Sequence, residues 1–104
     1  MRLLVIPKLH PGVSVDELLR HRTAEIQAVW ALYAQGVCRE MYGRADAPGA
    51  AILMLECASV ETARDALATL PLARLNLLDF DIYPLTPFTA LQSLFQAPSP
   101  VAAS

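Results

Sequence analysis

The stretch that decides the fold is Ser59 to Leu85, SVETARDALATLPLARLNLLDFDIYPL. It predicts an amphipathic helix that begins at the N-cap Ser59 and ends at Pro71, because proline cannot continue the helical hydrogen bonds. The apolar residues of this helix recur at helical spacing: Val60, Ala63, Leu67 and Leu70. Residues 78 to 83 then alternate between apolar and polar side chains, which predicts a strand.

Upstream of this stretch, the sequence predicts a strand, one long helix and two further strands. The helix is expected to begin at the capping box formed by Ser14 and Glu17 and to end before Gly36. The expected bounds are Arg2 to Lys8 for the first strand, Ser14 to about Gln35 for the helix, and Val37 to Arg44 and Ala51 to Cys57 for the next two strands. The order strand, helix, strand, strand, helix, strand predicts an α+β protein with a ferredoxin-like βαββαβ antiparallel sheet and both helices on one face.

The composition indicates one domain that buries part of its surface against another subunit. The chain has 55% hydrophobic and only 17% charged residues, whereas typical domains carry about 25% charged residues. A domain of this size has much surface to cover, so the surplus of apolar side chains predicts a homodimer or a larger homo-oligomer. The second subunit is expected to cover the sheet face that the helices leave open.

Charge and hydropathy exclude some partners. The formal net charge is −2 and no basic cluster is present, which argues against nucleic acid as a partner. No apolar run approaches the ~18 residues of a membrane span. The run Leu3 to Ile6 is too short for the core of a signal peptide, so a cytoplasmic location is expected. Cys38 and Cys57 are too few for a disulfide framework and are expected to be reduced, although a bridge between their strands is conceivable.

The C-terminal part of the chain divides into two predicted segments after the domain of residues 1–87. Residues 88–95, FTALQSLF, predict a short amphipathic helical segment that covers the surface of a neighbouring subunit. Residues 96–104, QAPSPVAAS, have the composition of a disordered tail.

The first predicted helix carries two charged residues within its apolar side. Its apolar residues lie in one arc at ~100° per residue: Val15, Leu18, Leu19, Ile26, Val29, Trp30, Leu32 and Tyr33. Arg22 and Glu25 fall inside that arc, with Glu25 about 20° from Leu18. Desolvation of a charged group costs several kcal/mol. Two interpretations therefore stay open: a structural Arg22–Glu25 pair, or a general base with a cation beside it in a pocket between helix and sheet.

Three short motifs of the chain resemble the muconolactone isomerase family: Ser59-Val60-Glu61, Leu70-Pro71-Leu72 and the final strand DFDIYPL. The resemblance implies a dimeric α+β barrel, in which two such sheets pair. Extended back through Gln35-Gly36 and Arg39, it places Glu25 where the family carries the glutamate proposed as its proton-shuttling base. Arg22 then falls on a basic residue of the same helix.

The resemblance also implies a reaction. Muconolactone isomerases act in the breakdown of aromatic compounds and move a double bond within an unsaturated lactone that carries a carboxylate, with no metal and no cofactor. One carboxylate is able to take a proton next to a carbonyl and return it elsewhere, and burial would raise its pKa towards the working pH. Glu25 is therefore the candidate catalytic base. Candidates for contacts to the substrate and its carboxylate are Arg22, Arg39, Lys8 and Tyr42.

The chain departs from the family in two places, so the substrate stays open. The second strand, Cys38 to Arg44, lacks the family's tryptophan and histidine, and Thr86-Pro87-Phe88 replaces the family's Cys-Arg-His segment. Three hypotheses follow: a cofactor-free isomerase, a cofactor-independent monooxygenase or dehalogenating enzyme of the same superfamily, or a non-catalytic oligomeric module that binds a small molecule or a protein. His10 and His21 are weak metal-ligand candidates because no ligand spacing accompanies them.

Overall fold

Four strands form one antiparallel sheet in the computed structural model, which describes residues 1–47 and 49–96. The strands are β1 (Arg2–Leu9), β2 (Cys38–Tyr42), β3 (Ile52–Glu56) and β4 (Leu78–Leu85). Their order in the sheet is β2-β3-β1-β4, so that β1 lies between β3 and β4 and pairs antiparallel with both. This arrangement confirms the predicted ferredoxin-like fold.

Two of the helices, α1 (Val15–Arg20) and α3 (Val60–Ala68), begin at the predicted caps Ser14 and Ser59. The others are α2 (Arg22–Ala34) and α4 (Pro71–Arg74), followed along the chain by a 3-10 helix (Thr89–Phe95). The Ser14 hydroxyl accepts a hydrogen bond of 3.1 Å from the Glu17 N–H, and the Ser59 hydroxyl accepts one of 3.1 Å from the Thr62 N–H. Each bond satisfies an N–H that has no partner within its own helix.

The prediction of one long helix from Ser14 to about Gln35 is wrong, because the helix is interrupted at His21. This residue has φ −105° and ψ 5°, outside the helical region, and ends α1 while it precedes α2. A helical wheel assumes a constant rotation of ~100° per residue, so it does not predict which residues share a face across such an interruption. Of the eight apolar residues assigned to one buried arc, only Val29 and Leu32 are buried. Five of the others are exposed, at 61% for Val15, 53% for Leu19, 57% for Ile26, 61% for Trp30 and 45% for Tyr33.

The core lies between one sheet face and the helices. Side chains alternate across a strand, so that Leu3, Val5, Leu53 and Leu55 all point to the helix side, where they are at most 1% exposed. They pack there with four residues of the helices: Val29, Leu32, Ala63 and Leu67. The intervening residues of β1 and β3 lie on the other face and are only partly buried: Leu4, Ile6, Ile52 and Met54. The same alternation therefore leaves the other sheet face, apolar around Leu4 and Met54, without a covering helix among residues 1–47 and 49–96.

Pro71 lies after the end of α3 and is the first residue of α4. Helix α3 stops at Ala68, and Pro71 is the first residue of α4, where its missing N–H costs nothing. Helix α4 ends in a Schellman motif: the Leu77 N–H bonds to Leu72 O and the Asn76 N–H to Ala73 O, both at 3.0 Å. Asn76 takes the left-handed conformation that this motif requires, with φ 58°. The closed turn sets the position from which β4 starts.

Several segment ends differ from the prediction. The second strand ends at Tyr42 rather than Arg44, and a bulge between Cys38 and Glu40 interrupts its pairing with β3. Both cysteines, Cys38 and Cys57, are buried and free. Of the segment 88–95, Thr89–Phe95 form the 3-10 helix. The predicted tail is 96–104, and its residues 97–104 lie outside the described residues. Within residues 1–47 and 49–96, the helices are all too short or too polar to cross a membrane.

His10 ties the end of β1 to the start of β4. Its Nδ1 lies 2.6 Å from the Asn76 carbonyl oxygen and its Nε2 lies 2.8 Å from Asp79 Oδ2. Both partners are acceptors, so both ring nitrogens donate only when the imidazole is protonated. The hydrogen bond to Asp79, followed by the one to Asn76, raises the pKa of His10 above its ordinary value of 6.5.

We predict that this histidine makes stability depend on pH. Because its pKa is raised by folding, its contribution is fully present below 6.5 and is lost as the pH rises through the folded-state value. The difference in Tm between the natural protein and His10→Gln should therefore be larger at about pH 5.5 than at about pH 8.5. The matched control is His21→Gln, which removes a side chain without a capping bond and should leave the pH dependence in place. A pH-independent Tm difference for His10→Gln would contradict the protonated contact.

Candidate functional site

A cavity of about 580 Å³ opens between the helices and the end of the sheet. This volume lies within the ~300–1,000 Å³ of small-molecule sites. Its walls are mostly apolar and come from α1, α2, α4 and the sheet; they include Leu18, Ile26, Trp30, Met41, Leu72 and Phe80. Val15, Leu19, Ile26 and Trp30, which belong to the apolar arc of the predicted single helix, line this cavity. The surplus of apolar residues in 15–33 therefore builds a cavity wall.

Glu25 projects into this apolar wall from the first turn of α2. Its carboxylate is partly buried, and its Oε1 accepts a hydrogen bond of 3.0 Å from the Leu72 N–H. Leu72 follows Pro71 in α4, so its N–H lacks a partner within that four-residue helix. Burial raises the pKa of Glu25 above its ordinary value of 4.5, and the hydrogen bond from Leu72 opposes part of that rise. The result is a carboxylate that faces a cavity with a raised proton affinity.

Arg22 lines the same cavity one helical turn before Glu25. The two residues nevertheless do not form an ion pair: the four ion pairs found among residues 1–47 and 49–96 join other groups. The structural Arg22–Glu25 pair that the sequence left open is therefore not formed in the described chain. Glu25 has the Leu72 backbone as its hydrogen-bond partner instead.

The remaining predicted contact residues lie elsewhere. Lys8 Nζ is 3.2 Å from Asp81 Oδ1, and both residues lie on the sheet face away from the helices. The Tyr42 hydroxyl donates to Glu40 Oε2 at 3.2 Å, and Arg39 is exposed at the bulge of β2. None of these three residues lines the cavity within the described chain, so their role as substrate contacts stays a prediction with no support from this site.

A second arginine at the cavity was missed by sequence reasoning. Arg44 lines the cavity just beyond the end of β2. Its Nε donates to Asp46 Oδ1 at 2.9 Å and its Nη2 donates to Asp46 Oδ2. The prediction had placed Arg44 at the end of a strand, where alternation alone does not say what it faces. The available signal was the spacing of Arg44 and Asp46, an arginine at the end of the predicted strand followed two residues later by the aspartate that begins the predicted turn Asp46-Ala47-Pro48-Gly49.

The chain is similar to known proteins in fold rather than in sequence. No protein-family model matches the chain, and no curated protein matches it either. Among solved structures, the fold is similar to that of 5-chloro-2-hydroxyhydroquinone dehydrochlorinase from Burkholderia phenoliruptrix in complex with 2,5-dihydroxybenzoquinone. The TM-score is 0.67 at 16% identity, and the match covers 83% of this chain and 94% of that one.

This likeness establishes the fold, and at 16% identity it establishes nothing finer. It extends over almost the whole of the neighbour, so the shared part is a complete domain rather than one motif. The chain is thus a ferredoxin-like α+β domain of the architecture that also occurs in an enzyme acting on a small oxygenated ring.

Proposed function

We propose that this protein is a cofactor-free enzyme of the muconolactone isomerase type, which moves a proton within a small, unsaturated, carboxylated ring. The observation that carries this proposal is the partly buried Glu25, a carboxylate of raised pKa at the wall of an apolar cavity of about 580 Å³. Buried carboxylates of this kind are suited to general acid–base chemistry near neutral pH. The structural neighbour, whose ligand is a dihydroxybenzoquinone, supports a ring-sized substrate.

In the proposed reaction, Glu25 takes a proton from a ring carbon next to a carbonyl. The electron pair of the broken C–H bond passes into conjugation, which places negative charge on the carbonyl oxygen. Glu25 then returns the proton to a more distant carbon, so the double bond shifts and the carboxylate is regenerated. Arg22, which lines the cavity one helical turn away, would stabilise the transient negative charge.

A second candidate reaction is elimination of hydrogen chloride from a chlorinated ring, supported by the structural neighbour, which is a dehydrochlorinase. The same carboxylate would take a proton from the ring, the electron pair of the broken bond to hydrogen would form a new double bond towards the chlorinated carbon, and the C–Cl electron pair would leave with chloride. Release of chloride from 5-chloro-2-hydroxyhydroquinone distinguishes this reaction from a double-bond shift, which releases no ion. The monooxygenase and the non-catalytic module stay as alternatives for which this site provides no separate observation.

We also propose that the protein works as a homodimer or a larger homo-oligomer. The sheet register places Leu4 beside Met54 on one side and Tyr83 on the other, on the face that lacks helices. The 3-10 helix and the residue before it expose four large apolar side chains, namely Phe88 at 72%, Leu91 at 52%, Leu94 at 74% and Phe95 at 87%. Burial of one such side chain stabilises an assembly by about 1.5–3 kcal/mol. A second copy is the partner that would cover both surfaces.

The catalytic role of Glu25 predicts a loss of turnover without a loss of fold. Glu25→Gln keeps an oxygen that accepts the Leu72 N–H but removes the proton affinity, so isomerisation of muconolactone should fall by ~10² to 10⁴. Turnover is measured by the change in ultraviolet absorbance and by exchange of ring protons with D₂O. Glu61→Gln, the same change on the exposed first turn of α3, should leave turnover unchanged.

Stability measurements separate this role from a structural one. Because folding raises the pKa of Glu25, the natural protein loses stability relative to Glu25→Gln as the pH rises from 4.5 through the folded-state value. The Gln variant should therefore melt at an equal or higher temperature at neutral pH, whereas Glu25→Ala strands the Leu72 N–H and should cost about 1–3 kcal/mol. If Glu25→Gln keeps full turnover per folded molecule, the assignment of Glu25 as the catalytic base is wrong.

The proposed assembly predicts that the two C-terminal truncations differ. Removal of all residues after Pro87 should lower the Tm and weaken association, because it deletes the exposed apolar side chains of residues 88–95. Removal of residues after Gln96 should change neither, since Ala, Pro and Ser side chains bury little. Light scattering measures the assembly, and the mass of a single 11.3 kDa chain at micromolar concentration would contradict it.

A further inference from the structure

The guanidinium of Arg44 is held at the cavity by only one of its two edges. Asp46 binds the edge formed by Nε and Nη2, with a distance of 2.9 Å from Nε to Oδ1. Arg44 lines the cavity, whereas Asp46 is absent from the cavity wall formed by the described residues. Asp46 therefore binds the guanidinium from outside the cavity wall, and its two hydrogen bonds favour one orientation of this exposed side chain.

The second edge of this guanidinium keeps its donors. An arginine side chain has five N–H donors, and Asp46 takes one on Nε and one on Nη2. Two donors on Nη1 and one on Nη2 are left. One N–H of each nitrogen points along the Nη1–Nη2 edge, which matches the two oxygens of a carboxylate. No other hydrogen bond of this side chain occurs within residues 1–47 and 49–96. A carboxylate bound there would meet a group that is already oriented, which lowers the entropic cost of binding.

Arg44 is better placed than Arg22 to bind the charged group of a substrate. Arg22 and Glu25 are three residues apart on one helix, where side chains are neighbours at about 5–6 Å between Cβ atoms. A carboxylate on Arg22 would thus lie beside the carboxylate of Glu25, which would repel it and hinder its work as a base. Arg44 comes from the loop after β2, a different wall of the cavity.

We propose that Arg44, oriented by Asp46, determines the specificity of the cavity by binding the carboxylate of the ring substrate through its free Nη1–Nη2 edge. This inference deepens the function proposed above and rests on it, because it concerns the same cavity. It gives the three charged residues separate tasks. Glu25 moves the proton, Arg22 balances charge near the reacting carbon, and Arg44 anchors the substrate away from it. Asp46 acts through Arg44 as a positioning residue.

The test compares two probes that share one ring and differ in charge, benzoate and benzamide. Binding is followed by the fluorescence of Trp30, which is the single tryptophan of the chain and lines the cavity. The natural protein should bind benzoate more tightly than benzamide. Arg44→Gln should weaken benzoate binding by about 10- to 100-fold, the range for hydrogen bonds to charged groups, and leave benzamide binding nearly unchanged.

Two further variants make the comparison specific. Arg44→Lys keeps the charge without the two-pronged edge, so its preference for benzoate should fall between those of the natural protein and Arg44→Gln. Arg20→Gln makes the same charge change on α1 at an exposed residue outside the cavity wall and should leave both affinities unchanged. Equal benzoate affinity for Arg44→Lys and the natural protein would overturn the role of the free edge.

Failure of this inference can be told apart from failure of the proposed function. If Arg44→Gln binds benzoate as the natural protein does, or if the natural protein shows no preference for benzoate, the anchoring role of Arg44 is overturned. Neither result bears on the role of Glu25, which is tested by the turnover of Glu25→Gln. Glu25→Gln should bind benzoate at least as tightly as the natural protein, because it removes a negative charge from the cavity.

Discussion

The hydrogen bond from the Leu72 N–H to Glu25 is the contact on which the candidate site depends. A carboxylate at an apolar wall loses hydration, and a backbone donor replaces part of it. The same bond joins α2 to α4. Leu72 is the second residue of α4, and the first N–H groups of an α-helix have no partner within the helix. One contact thus orients the candidate base and holds the helix that begins at Pro71.

The apolar residues of α1 and α2 serve both the core and the cavity. Val29 and Leu32 of α2 are buried in the core, whereas Leu19 of α1 and Trp30 of α2 are exposed and border the cavity. Val29 reaches both, since it also lines the cavity. An exposed apolar surface of this kind is unfavourable in water unless a ligand or a partner covers it. The fold therefore leaves apolar surface free where the proposed substrate would bind.

Charge is distributed around this cavity in a way that suits an anionic ring. Glu25, Arg22 and Arg44 are the charged residues among its described lining, and Asp46 balances Arg44 from outside. Two cations and one base within apolar walls attract an anion and still allow proton transfer.

The sequence by itself determined the sheet, because strands follow from local alternation of apolar and polar residues. It also determined the caps at Ser14 and Ser59, which depend on hydrogen bonds within four residues. The candidate base Glu25 came from the resemblance of short motifs to a known family. Only the tertiary structure decided what surrounds that base. Leu72 and Arg44 reach the cavity of Glu25 from segments distant in the chain, and no periodicity encodes such a meeting. The break at His21 was equally hidden, since a run with helical spacing looks the same whether one helix or two carry it.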